Sequence, residues 1–146
     1  MESNYSRGMS DISLQAFERP SIAKEFFLKI IADQNPVAAI ERLVNATPPV
    51  FETEWLDFKG AAQITDNDTK KTWSEALAGF ANTQGGILIW GVDARKSRAT
   101  GIDTACGSSF VKNPSAFKSR LIELHRQATE PPVLGVEIVA YSTVAS

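Results

Sequence analysis

Three carboxylates and a lysine are closely spaced in the stretch ETEWLDFKG, residues 52–60. Alternate side chains of a β-strand share a face, so a strand here places Asp57 and Lys59 together on one face. A carboxylate and an ammonium two residues apart can hold a divalent cation and a phosphate oxygen side by side. Taken alone, the pair is more commonly a solvent-facing ion pair, which contributes little to stability.

Two further acids could join this pair. Glu52 stands five residues before Asp57, and Asp93 follows the apolar run ILIWGV at 87–92. Ligand sites of α/β domains gather at strand ends, and converging carboxylates repel one another unless a cation neutralises them. Carboxylate oxygens suit Mg²⁺ or Mn²⁺. The hypothesis is a three-carboxylate metal site, although Asp93 could also serve only as a turn residue.

The elements that must position these residues alternate between strand and helix from residue 50 onward. Turn-forming residues at 66–68 predict a helix from near Thr69, with Trp73, Leu77 and Phe80 on its apolar face. Gly79 within it is expected to permit close approach of another backbone. The remaining predictions are strands at 54–59, 87–92 and 135–144, and a helix opened by Asn113-Pro114 with an apolar face from Phe117 to Leu124.

The first 48 residues are predicted to form a tail and a helical extension, followed by the main domain at 49–146. Residues 1 to about 18 show no clear period. Ser21 and Asn35 are placed to cap two short helices, the first with Ile22, Phe26 or Phe27, and Ile30 on one face. This pair could pack on the main domain, bind a partner or set the shape of the molecule, and packing is the commoner role.

Composition indicates a globular protein and excludes several classes. A chain of 146 residues with 43% hydrophobic residues is the size of one ordinary domain. No apolar run is long enough to span a bilayer, so no membrane partner is expected. A single cysteine, Cys106, excludes an intramolecular disulfide and fits a reducing cytoplasm. The net charge of −2 is not that of a strongly basic nucleic-acid binder, although a local basic patch is compatible with it.

The order of motifs resembles the AlbA-like domain of the Schlafen family. The motifs are ETEWLDFK, a helix ending GFANTQGG, the strand ILIWGVD and a basic turn leading to TGID, so the match runs from about Glu52 to Ile102. The resemblance implies an α+β fold around a mixed β-sheet packed with helices, which binds nucleic acid. In the nuclease members it also implies divalent-metal-dependent cleavage of structured RNA such as tRNA. Gly79 and Asp57 depart from the alanine and glutamate that the family commonly has.

Carried over by position, the family's acidic site residues fall on Glu52, Asp57 and Asp93, which would be both catalytic and metal-binding. Lys59 matches the motif lysine and would stabilise charge that develops on the phosphate. The implied cofactor is Mg²⁺ or Mn²⁺, and the implied chemistry is metal-assisted phosphodiester hydrolysis. Glu54 lies outside the matched acids and is expected only to be solvated.

Basic residues would supply the phosphate contacts that dominate affinity for nucleic acid. Each is individually explained as well by a solvated surface, and His125 is expected to be structural. The residues predicted to bind nucleic acid, RNA ahead of DNA, are Arg95, Lys96 and Arg98 after Asp93, and Lys118 and Arg120 on the last helix.

Three functions stay open at this level: a metal-dependent endoribonuclease, a non-cleaving DNA- or RNA-binding or regulatory module, and a protein-interaction module that uses the helical front. Family members usually continue past the segment GVEIVAYSTVAS. The domain is therefore expected to be truncated at its C-terminus, to be a minimal version of the family domain, or to complete its sheet with a second copy, as a homodimer.

Overall fold

The computed structural model describes residues 21–61 and 65–142. The predicted tail at 1 to about 18, and residues 143–144 of the predicted last strand, lie outside these ranges. The described residues form the helices α1 (Ile22–Ala32), α2 (Pro36–Val44), α3 (Asp66–Ala81) and α4 (Pro114–Ala128), and the strands β1 (Leu56–Lys59), β2 (Ile87–Trp90), β3 (Val92–Lys96) and β4 (Asp103–Ser108).

The strands form two pairs of opposite sense. β1 and β2 are parallel, with Leu56 opposite Ile87. β3 and β4 form an antiparallel hairpin with a bulge between Asp93 and Ala94. Backbone hydrogen bonds join the pairs, since the Gly91 N–H donates to the Lys59 carbonyl at 2.7 Å. The mixed strand directions and the packed helices confirm the predicted α+β fold.

One core lies between the strands and the first two helices. Leu56 and Phe58 are each 2% exposed, and they pack with the buried Ile89, Val92 and Ala105. Phe26 and Ile30 of α1 close this core, as the helical period predicts, whereas Ile22 is 65% exposed. Leu43 and Val44 of α2 also pack here. The helical front is therefore packed on the strands.

A second core lies between β2 and the later helices. Leu88 and Trp90 alternate with Ile89 along β2, so they face the opposite side and meet α3 and α4. Trp73 of α3 donates its indole N–H to the Leu121 carbonyl of α4 at 3.1 Å. The predicted faces of both helices are confirmed by the buried Trp73, Leu77, Leu121 and Leu124.

Helix starts follow the sequence closely because side-chain caps act locally. Asn35 and Asn113 each accept a backbone hydrogen bond and precede a proline in the first helical turn, as predicted. The start of α3 differs. Thr65 is its cap and the helix begins at Asp66, because the Thr65 hydroxyl accepts from the Asp68 N–H at 3.1 Å.

The strands differ from the sequence prediction in three places. The predicted strand 87–92 stops at Trp90, because Gly91 adopts a φ of 117° that redirects the chain into β3. The strand β4, which pairs with β3 in the hairpin, has no counterpart among the predicted strands. Residues 135–142 form no strand; Val136 and Ile138 instead pack by their side chains against the second core.

Removing buried volume at the centre of the first core should destabilise the fold. We expect Leu56→Ala to lower the free energy of unfolding by about 2–5 kcal/mol, because the truncated side chain leaves a cavity. Leu134→Ala is the matched control, since Leu134 is 89% exposed and should change stability by less than about 0.5 kcal/mol. Urea denaturation measures both, and equal losses of stability would contradict the assignment of this core.

Candidate functional site

The structure brings Glu52 and Asp57 together, as predicted, at the start of β1. A Glu52 carboxylate oxygen accepts the Phe58 backbone N–H at 3.1 Å, which turns the side chain back along the strand. Asp57 stands close enough to Glu52 to act on its pKa by hydrogen bonding and by charge. Lys59, two residues along the same face, places its ammonium 3.5 Å from the Asp57 carboxylate. Three of the four predicted catalytic residues are therefore neighbours.

Burial and like charge favour the protonated form of Glu52. Its pKa rises from 4.5 to about 7, first because burial removes water from the carboxylate and then because of the hydrogen bond to Asp57. The Phe58 N–H opposes this rise by stabilising the anion, while the charges on Asp57 and Asp103 add to it. Glu52 therefore keeps its proton to a higher pH than an exposed glutamate does.

Asp93 does not complete a three-carboxylate group. It lies at the bulge of β3, and its carboxylate sits against Gly60, where a Cβ atom would collide with it. Across residues 21–61 and 65–142, no three His, Cys, Asp or Glu side chains converge closely enough to hold a metal ion. The described residues thus show no preformed group of three ligands, and the metal set of Glu52, Asp57 and Asp93 stays a prediction.

The further acid whose charge acts on Glu52 is Asp103, which sequence reasoning missed. Asp103 begins β4, and its carbonyl accepts the Glu52 N–H at 2.8 Å. The strand DTACGS has neither an apolar run nor a clear alternation, so the sequence carried no usable signal for it.

The β3–β4 hairpin presents the basic residues that follow Asp93. Arg95 and Lys96 lie on β3 itself rather than in the predicted turn, and Arg98 lies in the connection to β4. All three are exposed, and none forms an ion pair with another described residue. The hairpin thus offers three cations that are free to meet an anion.

The two basic residues predicted to bind nucleic acid on the last helix differ in their contacts. Arg120 binds both carboxylate oxygens of Asp66, at 2.8 and 2.9 Å, and reaches Glu123 at 3.0 Å. These hydrogen bonds raise the pKa of Arg120 above its already high value and lower that of Asp66. Arg120 thus ties α4 to α3, and a phosphate would have to compete with two carboxylates. Lys118 is half-buried on α4.

His125 has a structural contact, in keeping with the role expected of it. Its Nε2 atom lies 2.7 Å from the Val133 carbonyl, within hydrogen-bond distance. This contact fastens α4 to the segment that follows it. No feature of the candidate site involves the imidazole.

A groove of about 250 Å³ lies between β1 and α3. Asp57 and Lys59 line one wall, and Glu75 of α3 lines the other. Gly79 also lines it, and a Cβ atom there would meet nothing within 4 Å, so the expected backbone approach at Gly79 does not occur. Glu75 was missed because a helix's own period does not show which strand its polar side will meet.

The raised pKa of Glu52 predicts how the stability of the fold depends on pH. A carboxyl whose pKa is raised by folding binds a proton that the unfolded chain has released, so stability falls as pH rises from about 4.5 to about 7. Glu52→Gln mimics the neutral form and should remove this fall. Above pH 7 the variant should be more stable than the wild type by on the order of 1 kcal/mol, because solvent screening reduces the effect.

Glu54→Gln is the matched control, since Glu54 is the exposed neighbour outside the carboxyl pair. It should keep the wild-type pH profile. Denaturation midpoints measured from pH 4 to 8 give the comparison, and parallel curves for Glu52→Gln and the wild type would contradict the raised pKa of Glu52.

Comparison with known proteins identifies the domain. The model of the family "Schlafen, AlbA_2" matches residues 52–144, which include β1 through α4 and the segment after it. Comparisons with curated proteins and with solved structures gave no significant match. No helix in the described parts of the chain is long and apolar enough to cross a membrane. The family match covers well over half of the chain and indicates a nucleic-acid-related domain; this protein belongs to the Schlafen AlbA_2 family.

Proposed function

We propose that this chain is a nucleic-acid-binding domain that holds the phosphate backbone with its β3–β4 hairpin. The observation that carries the proposal is the set of three exposed cations, Arg95, Lys96 and Arg98, without ion pairs among the described residues. Contacts from arginine and lysine to phosphate position a protein on nucleic acid. The family match supports a nucleic-acid partner. RNA ahead of DNA is part of this proposal.

The distribution of charge supports the hairpin as the phosphate-binding element. The net charge of the chain is only −2, so no field of the whole protein attracts a polyanion. Arg120 is occupied by Asp66 and Glu123, and Lys59 lies beside Asp57. Phosphate binding should therefore be local to the hairpin and strongly salt-dependent.

Neutralising the hairpin should weaken binding and flatten its salt dependence. We expect the triple variant Arg95→Ala/Lys96→Ala/Arg98→Ala to reduce the slope of log K against log salt by about 1 for each phosphate that the protein no longer neutralises. Fluorescence anisotropy with a structured RNA, over a series of salt concentrations, measures this slope.

The control variant removes three exposed cations elsewhere, namely Lys29→Ala/Lys71→Ala/Arg126→Ala on α1, α3 and α4. It changes the net charge equally and should leave the slope near the wild-type value. If both triple variants lower the slope equally, the charge of the whole protein and not the hairpin governs binding.

Metal-dependent cleavage of structured RNA is the second candidate. The Glu52–Asp57 pair beside Lys59 is the observation that favours it, since neighbouring carboxylates repel each other unless a proton or a cation neutralises them. Because no third acid joins the pair within the described ranges, the geometry supports binding ahead of cleavage. The predicted use of Mg²⁺ or Mn²⁺ remains part of this second proposal.

Incubation of a structured RNA with the protein and Mn²⁺ separates the two candidates. We expect intact RNA and a binding affinity that EDTA does not change, because phosphate contacts from the hairpin need no metal. Cleavage that is abolished in both Glu52→Gln and Asp57→Asn, but kept in Glu54→Gln, would instead establish the catalytic function.

Interaction with other proteins through the helical front has less support, because the apolar faces of α1 and α2 are packed in the first core. Self-association as a homodimer and a cytoplasmic location stay proposals that derive from the sequence. Light scattering of the purified protein would decide the first.

A further inference from the structure

The groove between β1 and α3 is separate from the hairpin cations and has its own chemistry. Its volume of about 250 Å³ is large enough for one planar heterocycle. Carboxylates stand on both walls, Glu54 and Asp57 on the β1 side and Glu75 on α3, and Lys59 is the single cation among its lining residues.

The charge of the groove selects against phosphate and in favour of hydrogen-bond donors. Asp57 already has the Lys59 ammonium at 3.5 Å, so that pair is close to neutral. Glu54 and Glu75 are exposed and form no ion pair with other described residues. Ionised carboxylates only accept hydrogen bonds. A neutral ligand that enters this groove must therefore present N–H or O–H donors.

An aromatic ring gives the groove an apolar surface of fixed position. Phe80 lines the groove, and its ring lies directly on Gly86, where any Cβ atom would collide with it. Gly79, which also lines the groove, leaves open space where a Cβ atom would stand. Nucleobases stack on aromatic side chains with little regard to sequence, because every base has a π-face. The groove thus combines an aromatic side chain with carboxylate acceptors.

We propose that this groove receives one unpaired nucleobase that carries an exocyclic amino group. Carboxylates accept hydrogen bonds from the amino group of cytosine, whereas uracil presents a carbonyl oxygen at the same position, which a carboxylate repels. The inference rests on the proposed nucleic-acid binding and adds a base preference to it. The hairpin holds the backbone, and the groove reads an amino group on a base that is not paired.

Oligocytidine and oligouridine of equal length test the preference, because their bases differ at this position between an amino group and a carbonyl oxygen. We expect the wild type to bind oligocytidine about tenfold more tightly than oligouridine at low salt, measured by fluorescence anisotropy. Equal affinities would overturn the base preference and leave nucleic-acid binding intact. Failure to bind either oligomer, or any structured RNA, would overturn the proposed function itself.

Gly79→Leu fills the groove, and it should preserve the fold because a Cβ atom at this position meets nothing within 4 Å. We expect it to reduce oligocytidine affinity to the oligouridine value and to leave oligouridine affinity unchanged. Ala78→Leu adds a similar side chain at the adjacent, exposed helical position outside the groove lining and should keep the preference. If Gly79→Leu retains the preference, the groove is not where the base binds.

Glu75→Gln tests the contribution of the carboxylate to the base preference without changing the shape of the groove. This variant keeps the size of the side chain and removes its charge, so we expect it to abolish most of the cytosine preference while oligouridine affinity stays the same or rises. An unchanged preference in Glu75→Gln, alongside its disappearance in Gly79→Leu, would overturn recognition of the amino group by Glu75.

Discussion

The alternation of side chains along β1 is the constraint on which the rest of the structure depends. Leu56 and Phe58 are buried against α1 and α2, so Asp57 and Lys59 must face the other way, toward α3. A slip of one residue would bury the charged pair and expose the core. The same four residues thus hold the fold together and aim a carboxylate and an ammonium into the groove.

The turn at Gly91 divides the molecule into two working surfaces. Without a positive φ at this position the chain would continue the direction of β2, and the basic residues would follow it. Instead β3 turns into a hairpin on which Arg95 and Lys96 are exposed, while Glu54, Asp57 and Glu75 line the groove between β1 and α3. The groove lining includes none of the hairpin cations, so the proposed function uses one surface for the phosphate backbone and another for a base.

The carboxyl pair shows which parts of the candidate site can be predicted from the sequence. The sequence assigns Glu52 and Asp57 to one candidate site, and the structure brings them together within one local segment in which Glu52 folds back onto the Phe58 N–H. The sequence assigns Asp93 to the same site, but its carboxylate lies beside Gly60 and no three-acid group forms among the described residues. Asp103, in a strand without an apolar signature, acts on Glu52 through its charge.

The sequence by itself determined the family, the caps of α1, α2 and α4, and the apolar faces of α1, α3 and α4, because caps and side-chain periods act within a few residues. It also determined that Asp57 and Lys59 share a face. Only the tertiary structure decided which acids meet, that Arg120 is bound by Asp66, and that Glu75 and Gly79 stand opposite the strand. These contacts depend on how distant segments of the chain pack together. No local sequence pattern shows which side chains a polar helix face will contact.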